Sequence, residues 1–176
     1  IFNPQVLEKA GDIYLDGYWQ SPLYFNDIRD ILLAEFTLKN PLSPTLSAYV
    51  EQVKNSKAVS LHIRRGDYVK NPRTASEFGS CSLNYYKQAM LEIAKVVPSP
   101  TYFIFSDDLP WVKENLPLPA GSVLVDGADL TDVEELILMS MCQHNIIANS
   151  SFSWWGAWLN QNPVKVIIAP TPWFDK

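Results

Sequence analysis

Apolar residues along this chain switch repeatedly between two spacings. From Ala58 to Arg64 they alternate, with Val59, Leu61 and Ile63 on one side and Ser60, His62 and Arg64 on the other, the period of two that marks a strand. From about Leu83 the period lengthens. Tyr86, Met90, Ile93 and Ala94 form a stripe behind a Ser82 cap, which predicts a helix. Thr101 to Phe105 is a continuous apolar strand, followed by a short helix through Trp111 and Leu116 whose start carries Asp107, Asp108 and Pro110. Ser122 to Val125 reads as a third strand. Thr131 and Glu134 have capping-box spacing and open a helix with Val133, Leu136, Ile137 and Met141 on one face. Asn145 to Ala148 is a strand, Ser153 to Asn160 a helix and Val164 to Ala169 a last strand. Strict strand and helix alternation predicts an α/β fold, a Rossmann-like parallel sheet with helices on both faces. Lys39 to Pro44, with two prolines, is the expected linker or loop. Asp12 to Asp16 alternates like a strand directly after an Ile1 start, so the chain reads as an excerpt from a longer protein.

Composition narrows the function classes. The 176 residues suit one globular domain, and no apolar run approaches the length of a membrane span. A net charge of −5 argues against a nucleic-acid surface, so any anion must bind locally. Cys81 and Cys142 are too few for a disulfide framework; reduced thiols and a cytoplasmic setting, at most peripheral to the inner face of a membrane, are expected.

In open α/β sheets ligands bind at the carboxyl ends of the strands. Here those ends read His62-Ile63-Arg64-Arg65-Gly66-Asp67, Ser106-Asp107-Asp108, Asp126-Gly127 and Asn149-Ser150-Ser151-Phe152-Ser153. The chain has only four arginines, and two stand side by side at a strand end beside a glycine. Guanidinium forks grip phosphate oxygens bidentately and a glycine admits backbone amides to an anion, so the pair suits a diphosphate. The plain alternative is an ion pair with Asp67. His62 reads equally as a half-buried hydrogen-bonding histidine or a ligand contact. The Asn149 to Ser153 run brings helix N-terminal amides and hydroxyls to one point that can hold phosphate or ribose, or serves as simple capping, with Ser153 favoured as the cap. Ser106, Asp107 and Asp108 are a helix cap with first-turn carboxylates or part of a donor site; a lone Asp-Asp supplies too few oxygens for a metal, and none is expected. Trp154 and Trp158, at i, i+4 spacing, with Trp155, are expected to pack in the core.

The run His62 to Tyr68 and the longer run Cys142-Gln143-His144-Asn145-Ile146-Ile147-Ala148-Asn149-Ser150-Ser151-Phe152-Ser153-Trp154-Trp155-Gly156-Ala157-Trp158 resemble the α-1,2-fucosyltransferases of glycosyltransferase family 11. Tyr18-Trp19-Gln20, Cys81 to Tyr86 and Pro170 to Phe174 follow the same course, so the resemblance covers nearly the whole chain. It implies the donor-binding part of a two-domain glycosyltransferase of the GT-B type, with residues 1–176 forming a GDP-fucose binding domain. The implied reaction moves L-fucose from GDP-fucose to the 2-hydroxyl of a galactose in a glycan, such as a lipopolysaccharide O-antigen or other oligosaccharide, with inversion and without a cofactor.

The implied roles fall on matching positions. Arg64 and Arg65 would neutralise the diphosphate leaving group, supported by His62 and Asp67; Asn149, Ser150, Ser151 and Phe152 would shape the phosphate end. Glu135 would contact the nucleoside, with Asp132 near enough to compete, and Asp107 and Asp108 would belong to a Ser/Thr-Asp-Asp signal linked to activity. Leaving-group stabilisation would dominate, at about 3 to 4 kcal/mol per well-placed donor. Glu77, Asp67 or a carboxylate outside these residues would serve as general base. The family's glycine-rich amino-terminal segment and its tail beyond Lys176 are absent, so the piece is expected to bind donor without necessarily turning it over. Two rival readings are a transferase for another nucleotide sugar and a non-catalytic nucleotide- or glycan-binding module.

Overall fold

A computed structural model describes residues 2–73 and 79–173, and the chain divides into two compact units, Ile1–Thr37 and Leu38–Lys176. The first unit has three 3-10 turns, Pro4–Val6, Pro22–Tyr24 and Asn26–Ile28, and one helix, α1 (Arg29–Glu35), none of which buries a residue. Tyr24 is its organising ring: it packs 4.8 Å from Phe2 and 5.2 Å from Trp19, and its hydroxyl accepts the Asn3 N–H at 2.7 Å. The strand expected at Asp12 to Asp16 does not form, and Ile13, Tyr14 and Leu15 are exposed. Alternation alone does not make a strand; its N–H and C=O groups need a ladder partner, and no described segment pairs with this one.

The second unit runs α2 (Pro44–Lys54), β1 (Ala58–Ile63), α3 (Gly66–Lys70), α4 (Leu83–Val96), β2 (Thr101–Ser106), α5 (Leu109–Asn115), β3 (Val123–Leu124), a 3-10 turn at Gly127–Asp129, α6 (Asp132–Met141), β4 (His144–Ile146), α7 (Ser151–Leu159) and β5 (Ile167–Ile168). Helix α2 follows from Pro44 at its first turn and the Ser43 hydroxyl accepting the Leu46 N–H at 3.2 Å. The expected alternation therefore holds. All four strand pairings among the described residues are parallel, in the order β3-β2-β1-β4-β5. The chain winds outward from β1 through β2 to β3, then returns to β1's other edge as β4. This reversal opens a crevice between the carboxyl ends of β1 and β4, where ligands bind in such sheets.

Each sheet face carries its own core. Val59, Leu61, Ile63, Tyr102 and Ile104 pack with Tyr86, Ala89, Met90 and Ile93 of α4 and with Val112 of α5. On the other face Ala58, Phe103 and Phe105 meet Leu46, Val50 and Val53 of α2 and Leu138 and Met139 of α6. Each large aliphatic or aromatic side chain so buried is worth about 1.5–3 kcal/mol. Two stripes differ from expectation. In α4 Ala89 is buried and Ala94 exposed; in α6 the core takes Leu138 and Met139 while Val133 and Met141 stay exposed. Helix α6 is apolar on most sides, so periodicity could not choose its face, and close packing on α7 does: a Cβ on Gly156 would lie 3.0 Å from Met139 Cβ. A buried amide network ties β1, β4, α6 and α7. Asn145 donates to Ser60 Oγ at 2.7 Å and to the Met139 carbonyl at 3.0 Å, and Asn160 donates to Asn145 Oδ1 at 2.7 Å. Cys81 and Cys142 are free thiols, and no described helix is long and apolar enough to cross a membrane.

Candidate functional site

The two arginines leave β1 at its carboxyl end and meet the start of α5 at the end of β2. Arg64 and Arg65 are in register just beyond the Ile63–Ser106 pair, which sets them opposite Asp107 and Asp108. Asp107 is the centre of the cluster. Its Oδ1 accepts the Arg65 N–H at 2.9 Å, its Oδ2 accepts the Gly66 N–H at 2.9 Å, and the same oxygen lies 3.2 Å from Arg64 Nη1. The amides beside Gly66 thus hold a carboxylate of the chain itself. A Cβ at Gly66 would lie 2.5 Å from Asp107 Oδ2, so the glycine is needed for space at this approach.

Asp108 works differently. Its Oδ1 caps α5 by accepting the Trp111 N–H at 3.2 Å, and its Oδ2 lies 3.4 Å from Arg65 Nε. The Arg65 guanidinium lies over the Trp111 ring, 3.5 Å from its centroid, whereas Arg64 is 5.7 Å from the Tyr68 centroid. Both aspartates of the pair are therefore engaged with arginines, and among the described residues no group of three or more metal-ligating side chains occurs. The side chain of Asp67, and Glu77 altogether, lie outside the described residues.

Across the crevice, β4 leads into α7. The helix starts at Ser151, two residues before the expected Ser153, and Ser150 holds the cap position without a side-chain cap bond. Ser153 is instead buried within the first turn, where its hydroxyl donates to the carbonyls of Ala148 and Ser150 at 3.4 and 3.3 Å. It is not the cap. The first amides of a helix have no intrahelical acceptor, so an N-terminus without a side-chain cap favours an anion. Asn149 is buried and donates to the Gly79 carbonyl at 3.2 Å, while its own carbonyl accepts the Tyr68 hydroxyl at 3.2 Å. Tyr85 adds a second tie, donating to the Ile147 carbonyl at 2.6 Å. The β1 loop and the β4 loop are thereby joined through Tyr68.

His62 faces the other side of the sheet from Val59 and Leu61 and is buried, with its ring 5.7 Å from Phe152 and no hydrogen-bond partner at Nδ1. Burial holds its pKa down to about 4, so the imidazole is neutral at physiological pH. Glu135 stands in a second cluster at the end of β3, its carboxyl pressed against Gly127. Burial first, then the charges of Asp132 and Asp126, push its pKa up to about 7. The structure brings Arg64, Arg65, Asp107 and Asp108 into one contact network, sets Asn149 to Phe152 on the opposite lip, and keeps Glu135 with Asp126 and Asp132. Trp154, Trp155 and Trp158 pack on one another, with Trp154 and Trp158 stacked at 6.5 Å.

Sequence reasoning missed Trp111 and Tyr68 as site neighbours. Trp111's signal was its place three residues after the Asp108 cap; Tyr68's was its place at the end of the His62 to Tyr68 run.

The sequence model of glycosyl transferase family 11 matches residues 7–176. The chain is 34% identical over 174 residues to "Alpha-1,2-colitosyltransferase" of Escherichia coli, covering 94% of this chain and 58% of that protein. It is 34% identical over 173 residues to "O-antigen biosynthesis glycosyltransferase WbnK" of Escherichia coli, covering 96% and 57%. Against human "Galactoside alpha-(1,2)-fucosyltransferase 1" the identity is 28% over 156 residues, covering 82% and 42%. The chain thus spans less than two thirds of the length of each of these relatives, and its arginine loop and serine run lie inside the family match. It belongs to glycosyl transferase family 11.

Proposed function

We propose that the protein containing this chain is an inverting glycosyltransferase of the GT-B type that moves L-fucose from GDP-fucose to the 2-hydroxyl of a galactose in a glycan. Residues 1–176 would form its nucleotide-sugar domain. The observation that carries the reading is the arginine pair at the end of β1, next to β4 and the loop that opens α7, at the crevice where the sheet reverses. A departing diphosphate gathers negative charge, and fixed guanidinium and amide donors meet that charge without reorganising. The acceptor oxygen bonds to the anomeric carbon as the bond from that carbon to the β-phosphate oxygen breaks. The acceptor proton passes to a general base, Asp67, Glu77 or a carboxylate outside this chain, and GDP leaves.

Within this reading Arg65 is the principal diphosphate contact and Arg64 the secondary one, because Asp107 already engages Arg64. The amides and hydroxyls of Asn149, Ser150 and Ser151, with the Phe152 ring, bound the phosphate end. His62 would support the arginines as a neutral group, and Glu135 would contact the nucleoside. Asp107 and Asp108 act on the arginines, so transfer needs no divalent cation. The acceptor would be a galactose-terminated oligosaccharide such as an O-antigen unit.

One observation favours a second donor. A relative 34% identical to this chain carries the name of a colitosyltransferase, and colitose differs from fucose in its substituents and not in its need for a nucleotide leaving group. The test is turnover of the full-length protein with GDP-fucose, nucleotide-activated colitose and a panel of other nucleotide sugars on a galactoside, followed by linkage analysis of the product. A fucosyl 1,2-linked product supports the proposal. Transfer of colitose alone moves the donor assignment, and binding of GDP without any transfer supports a binding module.

A further inference from the structure

We propose that Trp111 is a positioning residue for Arg65: its indole face and the Asp108 carboxylate lock the guanidinium so that both terminal nitrogens are free for the leaving diphosphate. This rests on the donor-site reading above. The two arginines are held in unlike ways. Arg64 contacts Asp107 through a terminal nitrogen, Nη1, the group a phosphate would want. Arg65 is gripped through Nε, at 3.4 Å from Asp108 Oδ2, and through one flat face, with the guanidinium carbon 3.5 Å from the Trp111 centroid. Its Nη1 and Nη2 make no hydrogen bond among the described residues, although the side chain is only 18% exposed.

One short element supplies both halves of the grip. Asp108 is fixed by donating its N–H to Ser106 Oγ at 3.1 Å, and it fixes Trp111 by accepting that residue's N–H at 3.2 Å. Trp111 is anchored in turn, packed against the core that α4 and β1 share. The 3.4 Å contact to Asp108 is weak by itself, so the ring decides the plane of the guanidinium. A planar cation stacked on indole loses rotamer freedom before donor arrives, and a bidentate grip on phosphate then needs no further ordering. Lysine has no plane to stack. The ring's effect therefore exists only while residue 65 is arginine.

That dependence makes the test. In the full-length protein, kcat and donor KM with GDP-fucose and a galactoside, GDP affinity and thermal melting are measured for Trp111→Leu, Trp111→Phe, Arg65→Lys, Arg65→Ala and the double variant Trp111→Leu with Arg65→Lys. Trp111→Leu should lower kcat about tenfold, or ~1.4 kcal/mol of transition-state stabilisation, while GDP affinity falls by less than about threefold. Trp111→Phe, which keeps a π face, should recover most of the loss. In the Arg65→Lys background the same Trp111→Leu change should cost less than about twofold, since contacting residues are non-additive. An equal loss in both backgrounds, or wild-type turnover in Trp111→Leu, overturns the proposal. If Arg65→Ala itself turns over normally, the donor-site reading fails and takes the positioning role with it. Abolition by Arg65→Ala with no effect of Trp111→Leu defeats the positioning role alone. Should Trp111→Leu not fold, Asp108→Asn keeps the α5 cap, removes the charge at Nε and enters the same cycle, where a loss that persists unchanged in Arg65→Lys is again the overturning result.

Discussion

Replacing Gly66 with alanine tests the arginine loop at its tightest point. The added Cβ would stand 2.5 Å from Asp107 Oδ2 and 3.2 Å from Asp107 Cγ, too close for either atom to stay. Gly66 shows no left-handed φ, so the cost is one of space and not of backbone conformation. The obstructing atom ends a short side chain that can turn away cheaply in steric terms. The turn breaks contacts, however: the N–H groups of Arg65 and Gly66 lose their acceptor and Arg64 loses its carboxylate. Hydrogen bonds to a charged group contribute about 1.5–3 kcal/mol each when buried. Asp107 is 27% exposed, so water replaces part of the loss, and about 3 kcal/mol for the whole group is the working figure. For a domain of this size that lowers Tm by roughly 6–12 °C. The assay is a thermal melt of wild type, Gly66→Ala, Asp107→Ala and the double variant, with turnover measured on each folded protein. Gly66→Ala should add less than about 0.5 kcal/mol once Asp107 is already alanine, because nothing remains to displace. A Gly66→Ala protein that melts within about 2 °C of wild type, or full additivity in the double variant, would refute the account of Asp107 as the carboxylate that holds the loop.

Arg65→Lys should keep measurable GDP binding but lose about a hundredfold or more in turnover, while Arg64→Lys loses less; near wild-type turnover in a well-folded Arg65→Lys would make the pair structural. EDTA should leave turnover of the full-length protein intact, since Asp107 and Asp108 already serve arginines; loss restored by magnesium or manganese would instead make those carboxylates metal ligands. Glu135, pushed up to about 7, keeps a proton in the folded state that the unfolded chain releases near 4.5. Its contribution to stability is therefore lost as pH rises from about 4.5 through 7, and Glu135→Gln should gain on wild type in melts run at pH 8 relative to pH 5. A difference that does not change with pH would remove Glu135 from that linkage.

The parts of this fold legible in the sequence are those fixed by neighbours in the chain. The β1 alternation, the Ser82 cap and the Thr131–Glu134 capping box each lie within a few residues, and each forms. Helix α7 began earlier than expected because Ser150, Ser151 and Ser153 are locally equivalent candidates, and only the burial of Ser153 against Ala148 and Ser150 separates them. Asp12 to Asp16 had the right period and no partner. For the candidate site, position at strand ends was enough to bring both arginines and both aspartates to one end of the sheet. Their division of labour was not: Asp107 reaches amides more than 40 residues away in sequence, and the Arg65–Trp111 stack depends on how α5 leaves β2. Such contacts follow from strand register, which no local pattern encodes.

The position of β1 at the middle of the sheet has a consequence for how the chain emerges during synthesis. One edge of β1 is covered by β2, whose first residue follows about 40 positions after β1 ends, but the other waits for β4, about 80 positions on. At about 5–20 residues per second, that open edge of Val59 and Leu61 persists for roughly 4–16 seconds on each nascent chain. An uncovered apolar strand edge invites pairing with another chain. The crevice between β1 and β4 cannot exist until α7 has left the ribosome, so keeping fewer open-edged nascent chains together at one time, by weaker transcription, should raise the soluble yield more here than in a sheet built from hairpins.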